Sequence, residues 1–373
     1  MRGPAVEPIV IAAGGTGGHF FPAEALASML IARGHRVVLM TDERSGGLSS
    51  AVFAGREQYV LPGAGIAGRG TWRGVKAVGA MTAGVVQARG ILTSLGAGCV
   101  VGFGGYPCVA PVLAARSLRR RPAVILHEQN AVLGRANRFL TRRADVLALG
   151  FTATQRVPAG VRTEVTGNPV RPAIAALAAT GYVAATERIR LLVLGGSLGA
   201  RVFSDIVPAG VVALPQALRA RLSVVQQARA EDVERVRAAY AAAGIAAEIS
   251  PFFGDVAARL VAAHLVIARA GASTVAELAV VGRPAILVPL PGAIDDHQTA
   301  NAQALAAAGG AWVVPQAGFT SGFLSQRLGD LLADPVGLTG AAVAARSQAR
   351  ADAAERLADL VEAKMAVRAG VRA

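Results

Sequence analysis

A strand–glycine–helix unit occurs twice in this chain, and the repeat constrains everything between its copies. Ile9-Val10-Ile11-Ala12-Ala13 runs into Gly14-Gly15-Thr16-Gly17-Gly18; the apolar run 189–195 leads into Gly195-Gly196-Ser197-Leu198-Gly199, 181 residues further on. Short, continuously apolar runs mark strands covered on both faces, and glycines follow where a helix opens. This is the entry unit of a doubly wound parallel sheet. Further apolar runs at 36–41, 57–61, 99–103, 123–127 and 145–149 fill the first half. Runs at 222–227, 246–250, 265–268, 285–289 and 311–314 fill the second, with Ala/Leu/Arg-rich helical segments between them. The fold class is therefore α/β, with two Rossmann-like domains facing a cleft. Asn168-Pro169-Val170-Arg171-Pro172 holds two prolines that stop regular structure, which sets domains of 1–170 and 171–351. The stretch 341–368 reads as one or two helices.

A chain with 53% hydrophobic and 17% charged residues is neither disordered nor a coiled coil. Its longest uncharged stretch, Gly90–Ala115, is long enough for a bilayer but holds six glycines and two prolines. It reads as helix end, short strand, glycine loop and new helix. No basic n-region, apolar h-region or cleavage site precedes the first strand, so a cytosolic protein without signal peptide or transmembrane helix is expected. Charge is more telling. The net charge is +14, and residues 1–170 carry 19 basic against 8 acidic groups, +11 of the total. Such a concentration calls for an anionic partner: an acidic membrane surface, a phosphorylated substrate or nucleic acid. With 5% aromatic residues and no basic–aromatic alternation, nucleic acid ranks last and is not expected as a partner. Cys99 and Cys108 have no metal or CxxC spacing and read as small buried residues.

The chemistry gathers at predicted strand ends. A helix N-terminus behind glycines suits phosphate, because unpaired N–H groups point outward and the backbone can be approached closely. A dinucleotide fingerprint fails at Phe20, and no P-loop lysine follows. A tight turn without ligand is the competing reading. His19 shifts the balance, because the helix start disfavours the imidazolium and leaves a ring able to accept a proton. His35 and His264 read as structural. His127-Glu128-Gln129-Asn130 ends another strand and either lines a site or supplies turn and cap chemistry. Glu277 sits one turn into the helix after Arg269-Ala270-Gly271, where a carboxylate can hold ribose hydroxyls. Asp295-Asp296 reads as helix capping rather than metal ligation, and no metal site is expected.

These pieces, together with Gly104-Gly105-Tyr106, Gly167-Asn168-Pro169-Val170-Arg171 and Asp296-His297-Gln298, stand in the order found in one family. Over roughly residues 9–300 the sequence resembles the MurG family of peptidoglycan N-acetylglucosaminyltransferases. The resemblance implies a GT-B fold whose C-terminal helix, about 352–373, packs back on the first domain. It also implies inverting transfer of N-acetylglucosamine from UDP-GlcNAc to the 4-hydroxyl of polyprenyl-pyrophosphoryl-MurNAc-pentapeptide, with no cofactor required. Donor contacts then fall on Thr16, Gly17, Gly18, Asn130, Arg171, Ser197, Phe253, Ala272, Ser273, Thr274, Val275, Ala276, Glu277 and Gln298. Gly14, Gly15, Gly104, Gly105 and Tyr106 fall to the acceptor pyrophosphate, and His19 becomes the catalytic base. Two positions depart from the family pattern: Leu198 stands where glutamine is usual, and Phe253 where an aliphatic residue is common. Another lipid-acceptor transferase, of the diacylglycerol type, or a non-catalytic UDP-sugar module would share the donor half.

A lipid acceptor places the expected enzyme peripherally on the cytoplasmic face of the inner membrane, against an anionic surface. Trp72, Val75, Val78, Met81, Val85 and Val86 form an apolar helical stripe suited to that contact, rimmed by Arg116, Arg119, Arg120, Arg121, Arg135, Arg138, Arg142 and Arg143. A simply buried helix is the alternative.

Overall fold

The computed structural model describes residues 7–14, 17–42, 50–62, 71–196 and 199–372; for residues 17, 71–78, 369, 371 and 372 it describes the backbone alone. The chain divides into two compact units, Met1–Arg171 with Asp352–Ala373, and Pro172–Ala351.

The first unit is built on seven strands: β1 (Ile9–Ala12), β2 (Val37–Asp42), β3 (Gln58–Leu61), β4 (Cys99–Gly102), β5 (Ala123–Glu128), β6 (Val146–Leu149) and β7 (Thr163–Val165). Their order is β3-β2-β1-β4-β5-β6-β7, and all pairings are parallel. Both faces are covered, so residues of one strand alternate between two apolar layers. Ile9 and Ile11 pack with Leu26 and Leu30 of the helix Gly17–Ala32 and with Leu357 and Val361 of the helix Ala353–Arg372. Val10 and Ala12 pack with Ala88 and Leu92 of the helix Thr71–Leu95 and Val112 of the helix Val109–Ser117. Polar clamps hold the C-terminal helix in place. Arg33 donates to Asp359 and Glu362 at 2.7 and 2.8 Å, and His35 Nε2 lies 2.7 Å from Glu362.

The second unit carries β8 (Ile189–Leu194), β9 (Leu222–Gln227), β10 (Ala246–Ser250), β11 (Leu265–Ala268), β12 (Ala285–Leu287) and β13 (Ala311–Val313), in the order β10-β9-β8-β11-β12-β13. It is also parallel throughout.

Strand order fixes where ligands can enter. From β1 the chain winds outward through β2 and β3, then returns at β4 on the other side of β1. Loops leaving the carboxyl ends of β1 and β4 therefore diverge, and β8 and β11 repeat the arrangement in the second sheet. Crevices at such reversals are the ligand sites of open α/β sheets.

Two features, β7 and the stripe on the helix Thr71–Leu95, differ from the sequence expectation. Strand β7 was not anticipated: it is three residues long, with Thr163 and Glu164 exposed, so it lacks an apolar run. The region 341–368 is two helices, Pro335–Ser347 and Ala353–Arg372, and they belong to different units. Met81 and Val85, expected on an outward stripe, pack against the core, and Val86 alone of the described stripe residues is exposed. The side chains of Trp72, Val75 and Val78 lie outside the described residues. Gly90–Ala115 is helix end, β4, glycine loop and new helix. Among the described residues no single helix is long and apolar enough to cross a membrane.

Candidate active site

In the first unit, β1 delivers Gly14 to the helix that starts at Gly17, so His19 occupies the first turn of that helix. The ring is half-buried against the loop after β4, where Gly104 and Gly105 have φ of +81° and +67°. A Cβ at Gly104 would lie 3.5 Å from the imidazole and 3.2 Å from Asn137 Nδ2. Glycine is favoured there by its left-handed backbone, and a Cβ would also crowd Asn137 Nδ2. His19 Nδ1 donates to the Phe103 carbonyl at 2.9 Å and to Gln129 Oε1 at 3.0 Å. Nδ1 must carry the hydrogen, because both partners are oxygens that accept. Nε2 keeps its lone pair and has no partner among the described residues.

The four polar residues at the end of β5 divide the work. Fully buried His127 donates from Nε2 to the Gly167 carbonyl at 3.0 Å. Burial pulls its pKa down to about 4, with the Gly167 bond and Glu128 opposing and His19 assisting, so the ring is neutral near pH 7. Gln129 donates to the Phe103 carbonyl at 2.9 Å. Glu128, also buried, shapes the following loop. Its Oε1 accepts from Asn130 N and Nδ2, and its Oε2 from Gly134 N and Asn137 Nδ2, at 2.9–3.1 Å. Asn130, a predicted donor contact, is therefore oriented by Glu128. Arg171 is brought to the His19 helix, its guanidinium 5.8 Å from the Phe21 ring. Tyr106 donates its hydroxyl hydrogen to Asp42 at the end of β2.

In the second unit, Gly195 and Gly196 follow β8. A Cβ on Gly195 would stand 2.4 Å from the Ala200 nitrogen, so no larger residue fits the turn. Gln227 accepts from Gly195 N and donates to Pro251 O, both at 3.1 Å, linking this turn to the Phe252-Phe253 loop. The Phe253 ring is buried under the Arg259 guanidinium, 4.1 Å from its centroid, which leaves backbone rather than ring for a base. After β11 the helix Ala272–Val281 begins with Gly271 as N-cap, with neither a capping side chain nor an acidic residue in its first turn. Ser273 Oγ in that turn is buried and unpartnered among the described residues. Uncompensated N–H groups at such a start favour phosphate oxygens.

Thr274, Val275 and Ala276 continue that turn, and Glu277 is its sixth residue, nearly buried. Gln298 Oε1 accepts from Ala270 N and Leu290 N at 3.2 and 3.0 Å, bracing the β11 loop. Arg269 braces it too, donating to the Val288 and Pro289 carbonyls and to Gln316, a role its sequence position did not announce. The predicted capping by aspartate takes another form. Asp296 stands at the N-cap of the helix His297–Ala307 with φ +53°, but its carboxylate accepts from the Thr299 hydroxyl rather than a backbone N–H. Gly15, Thr16, Ser197 and Leu198 lie outside the described residues. Among the described residues no group of three or more His, Cys, Asp or Glu side chains is placed to hold a metal ion.

Residues 9–148 match the glycosyltransferase family 28 N-terminal domain and residues 190–357 its C-terminal domain. A relative from Granulibacter bethesdensis, named UDP-N-acetylglucosamine--N-acetylmuramyl-(pentapeptide) pyrophosphoryl-undecaprenol N-acetylglucosamine transferase, is 63% identical over 97% of this chain and 94% of its own. One of the same name from Acidiphilium cryptum is 55% identical over 99% of this chain and all of its own. Among solved structures, Acinetobacter baumannii MurG superposes with a TM-score of 0.79 at 32% identity, covering 95% of this chain and 99% of that one. The calicheamicin glycosyltransferase CalG4 superposes at 0.65 with 16% identity, over 97% and 99% of the two chains, a likeness of fold alone.

Proposed function

The chain belongs to glycosyltransferase family 28, in its MurG branch with the GT-B fold, and on that premise we infer that it transfers N-acetylglucosamine from UDP-GlcNAc to undecaprenyl-pyrophosphoryl-MurNAc-pentapeptide, lipid I, giving lipid II. The observation that carries the mechanism is His19, whose Nδ1 hydrogen is committed to the Phe103 carbonyl and whose Nε2 lone pair is left for a proton. In a single in-line displacement the MurNAc 4-hydroxyl attacks the anomeric carbon, the bond from that carbon to UDP breaks, and the configuration inverts. The hydroxyl proton passes to His19 Nε2. Charge develops on the departing pyrophosphate, and we assign to it the N-terminus of the helix Ala272–Val281, which has neither a capping side chain nor an acidic residue in its first turn. On this reading its N–H groups neutralise the charge and no metal is required. Disaccharide formation from UDP-GlcNAc and a short-chain lipid I analogue, at equal rate in EDTA and in magnesium, is the expected result. UDP binding without turnover, or transfer to diacylglycerol instead, overturns the reading.

Glu277 is assigned to the uridine ribose. Hydrogen bonds to a carboxylate are worth about 1.5–3 kcal/mol each. Glu277→Ala should therefore weaken UDP roughly 10- to 100-fold in calorimetric titration, and an unchanged affinity removes the ribose assignment.

We also propose a peripheral contact with the anionic cytoplasmic face of the membrane. It rests on Arg119, Arg120 and Arg121, which share an open basin with Arg368 of the last helix, and on Phe139, exposed on the helix Arg135–Leu140. Arg116 contributes less, being committed to Asp145 at 2.9 Å. Each basic group near an anionic surface adds about 1 kcal/mol, screened by salt. Flotation with phosphatidylglycerol vesicles should fall with rising salt and weaken in Arg119→Gln combined with Arg120→Gln. Equal flotation with neutral vesicles rejects the electrostatic contact.

A further inference from the structure

We propose that Gln129 and His127 are positioning residues that set the tautomer of His19 through one directed hydrogen-bond chain; the proposal rests on the reading of His19 as base. Three backbone carbonyls dictate every proton in it. The Phe103 carbonyl can only accept, so His19 Nδ1, 2.9 Å away, carries a hydrogen. The same oxygen lies 2.9 Å from one terminal atom of the Gln129 amide, and the His127 carbonyl lies 3.3 Å from that atom. That atom is therefore the nitrogen, and Gln129 turns its oxygen toward His19 Nδ1 at 3.0 Å. The amide nitrogen also reaches His127 Nδ1 at 3.2 Å, which must then be the bare nitrogen of that ring. The Gly167 carbonyl, 3.0 Å from His127 Nε2, requires the hydrogen on that side, in agreement. The chain runs His19 Nδ1–H to Gln129 oxygen, Gln129 N–H to His127 Nδ1, and His127 Nε2–H to Gly167 oxygen.

The consequence is a base held by neutral groups. Free histidine in water favours the Nε2–H tautomer; here His19 is held in the reverse form, with Nε2 bare. When Nε2 takes the acceptor proton, the resulting imidazolium still has two oxygens before Nδ1. Among the described residues no carboxylate is hydrogen-bonded to either ring, so every partner in the chain is neutral. His127 is suited to the end of the chain because burial keeps it neutral and so preserves its bare Nδ1. In serine–histidine–aspartate sites, loss of tautomer control costs about 10⁴ in turnover.

The test begins with the unaltered protein. Long-range ¹H–¹⁵N spectra of ¹⁵N-histidine-labelled enzyme at pH 8 should show His19 as the Nδ1–H form and His127 as the Nε2–H form, assigned through His19→Gln and His127→Gln. An Nε2–H form at His19 overturns the proposal, whatever the catalytic role of that ring. Gln129→Glu keeps the acceptor oxygen and adds charge. The acidic limb of its kcat–pH profile should move up by about one pH unit, with KM for UDP-GlcNAc within twofold. Gln129→Leu leaves the Phe103 carbonyl as the one acceptor at Nδ1, so it should weaken the Nδ1–H preference in the same spectra and lose at least tenfold in kcat, again without a change in KM. An unmoved limb with intact kcat in these folded variants rejects the chain. If His19→Ala retains full turnover, the base reading fails while the spectra still decide the tautomer.

Discussion

Replacing His19 by alanine is expected to lower kcat for disaccharide formation by about 10²–10⁴-fold, the range for loss of a positioned general base. UDP affinity should stay within twofold, because the uridine and pyrophosphate assignments fall on other residues. The size of the effect follows from the commitments around the ring. Nδ1 is fully engaged by Phe103 and Gln129, so Nε2 is the one nitrogen left to act on a substrate proton. The ring also lies beside the loop of Gly104 and Gly105, where an added Cβ would come into van der Waals contact with it. Single-turnover measurement with saturating UDP-GlcNAc separates chemistry from product release. A loss below threefold shows that His19 only packs against the glycine loop, and another group must then take the proton.

How much of this was legible in the chain depends on whether a feature leaves a residue-type signal. The two glycine turns did, because a backbone that approaches as closely as Gly195 approaches Ala200 admits no Cβ. Fully buried strands did as well: β1 and β4 are apolar throughout, and β2 and β5 are apolar over their first four residues. β7 did not, being too short and too polar to differ from a loop. The apolar stripe on the helix Thr71–Leu95 misled because a core-facing stripe and a membrane-facing one share the same spacing. Met81 and Val85 are core residues.

Within the site, His19 was legible from its place after the glycines, and Glu277 from its place after β11. The partners of His19 were not. Gln129 lies 110 residues away in sequence, and the Phe103 contribution is a carbonyl that any residue would supply. The polar cluster after β5 could be seen as a cluster, but not that Glu128 would serve the loop while its two neighbours serve the imidazole. Arg269 announced itself only as part of a motif. Its work, bracing three segments around the start of the helix Ala272–Val281, depends on β12 lying beside β11.

Lowering the pH from 7.5 to 5 should destabilise the first unit by about 2 kcal/mol through His127 alone, and by about 3 kcal/mol at still lower pH. The sign follows from where the proton binds. An unfolded chain protonates this ring near pH 6.5, whereas burial holds the folded ring neutral down to about 4. Between those values the unfolded state binds more protons, so stability rises with pH. The contribution is complete above the unfolded value and is lost as pH falls through the window. Its cause is burial of the ring, and a protonated Nδ1 would in addition meet the Gln129 nitrogen that now donates to it. His264, half-buried and also held below its ordinary value by burial, adds loss of the same sign. The comparison that isolates His127 is therefore between the unaltered protein and His127→Gln. Urea unfolding at both pH values should show a smaller pH-dependent loss in the variant, by about 2 kcal/mol. Equal losses in the two proteins would show that His127 is already charged, or already exposed, in the folded state.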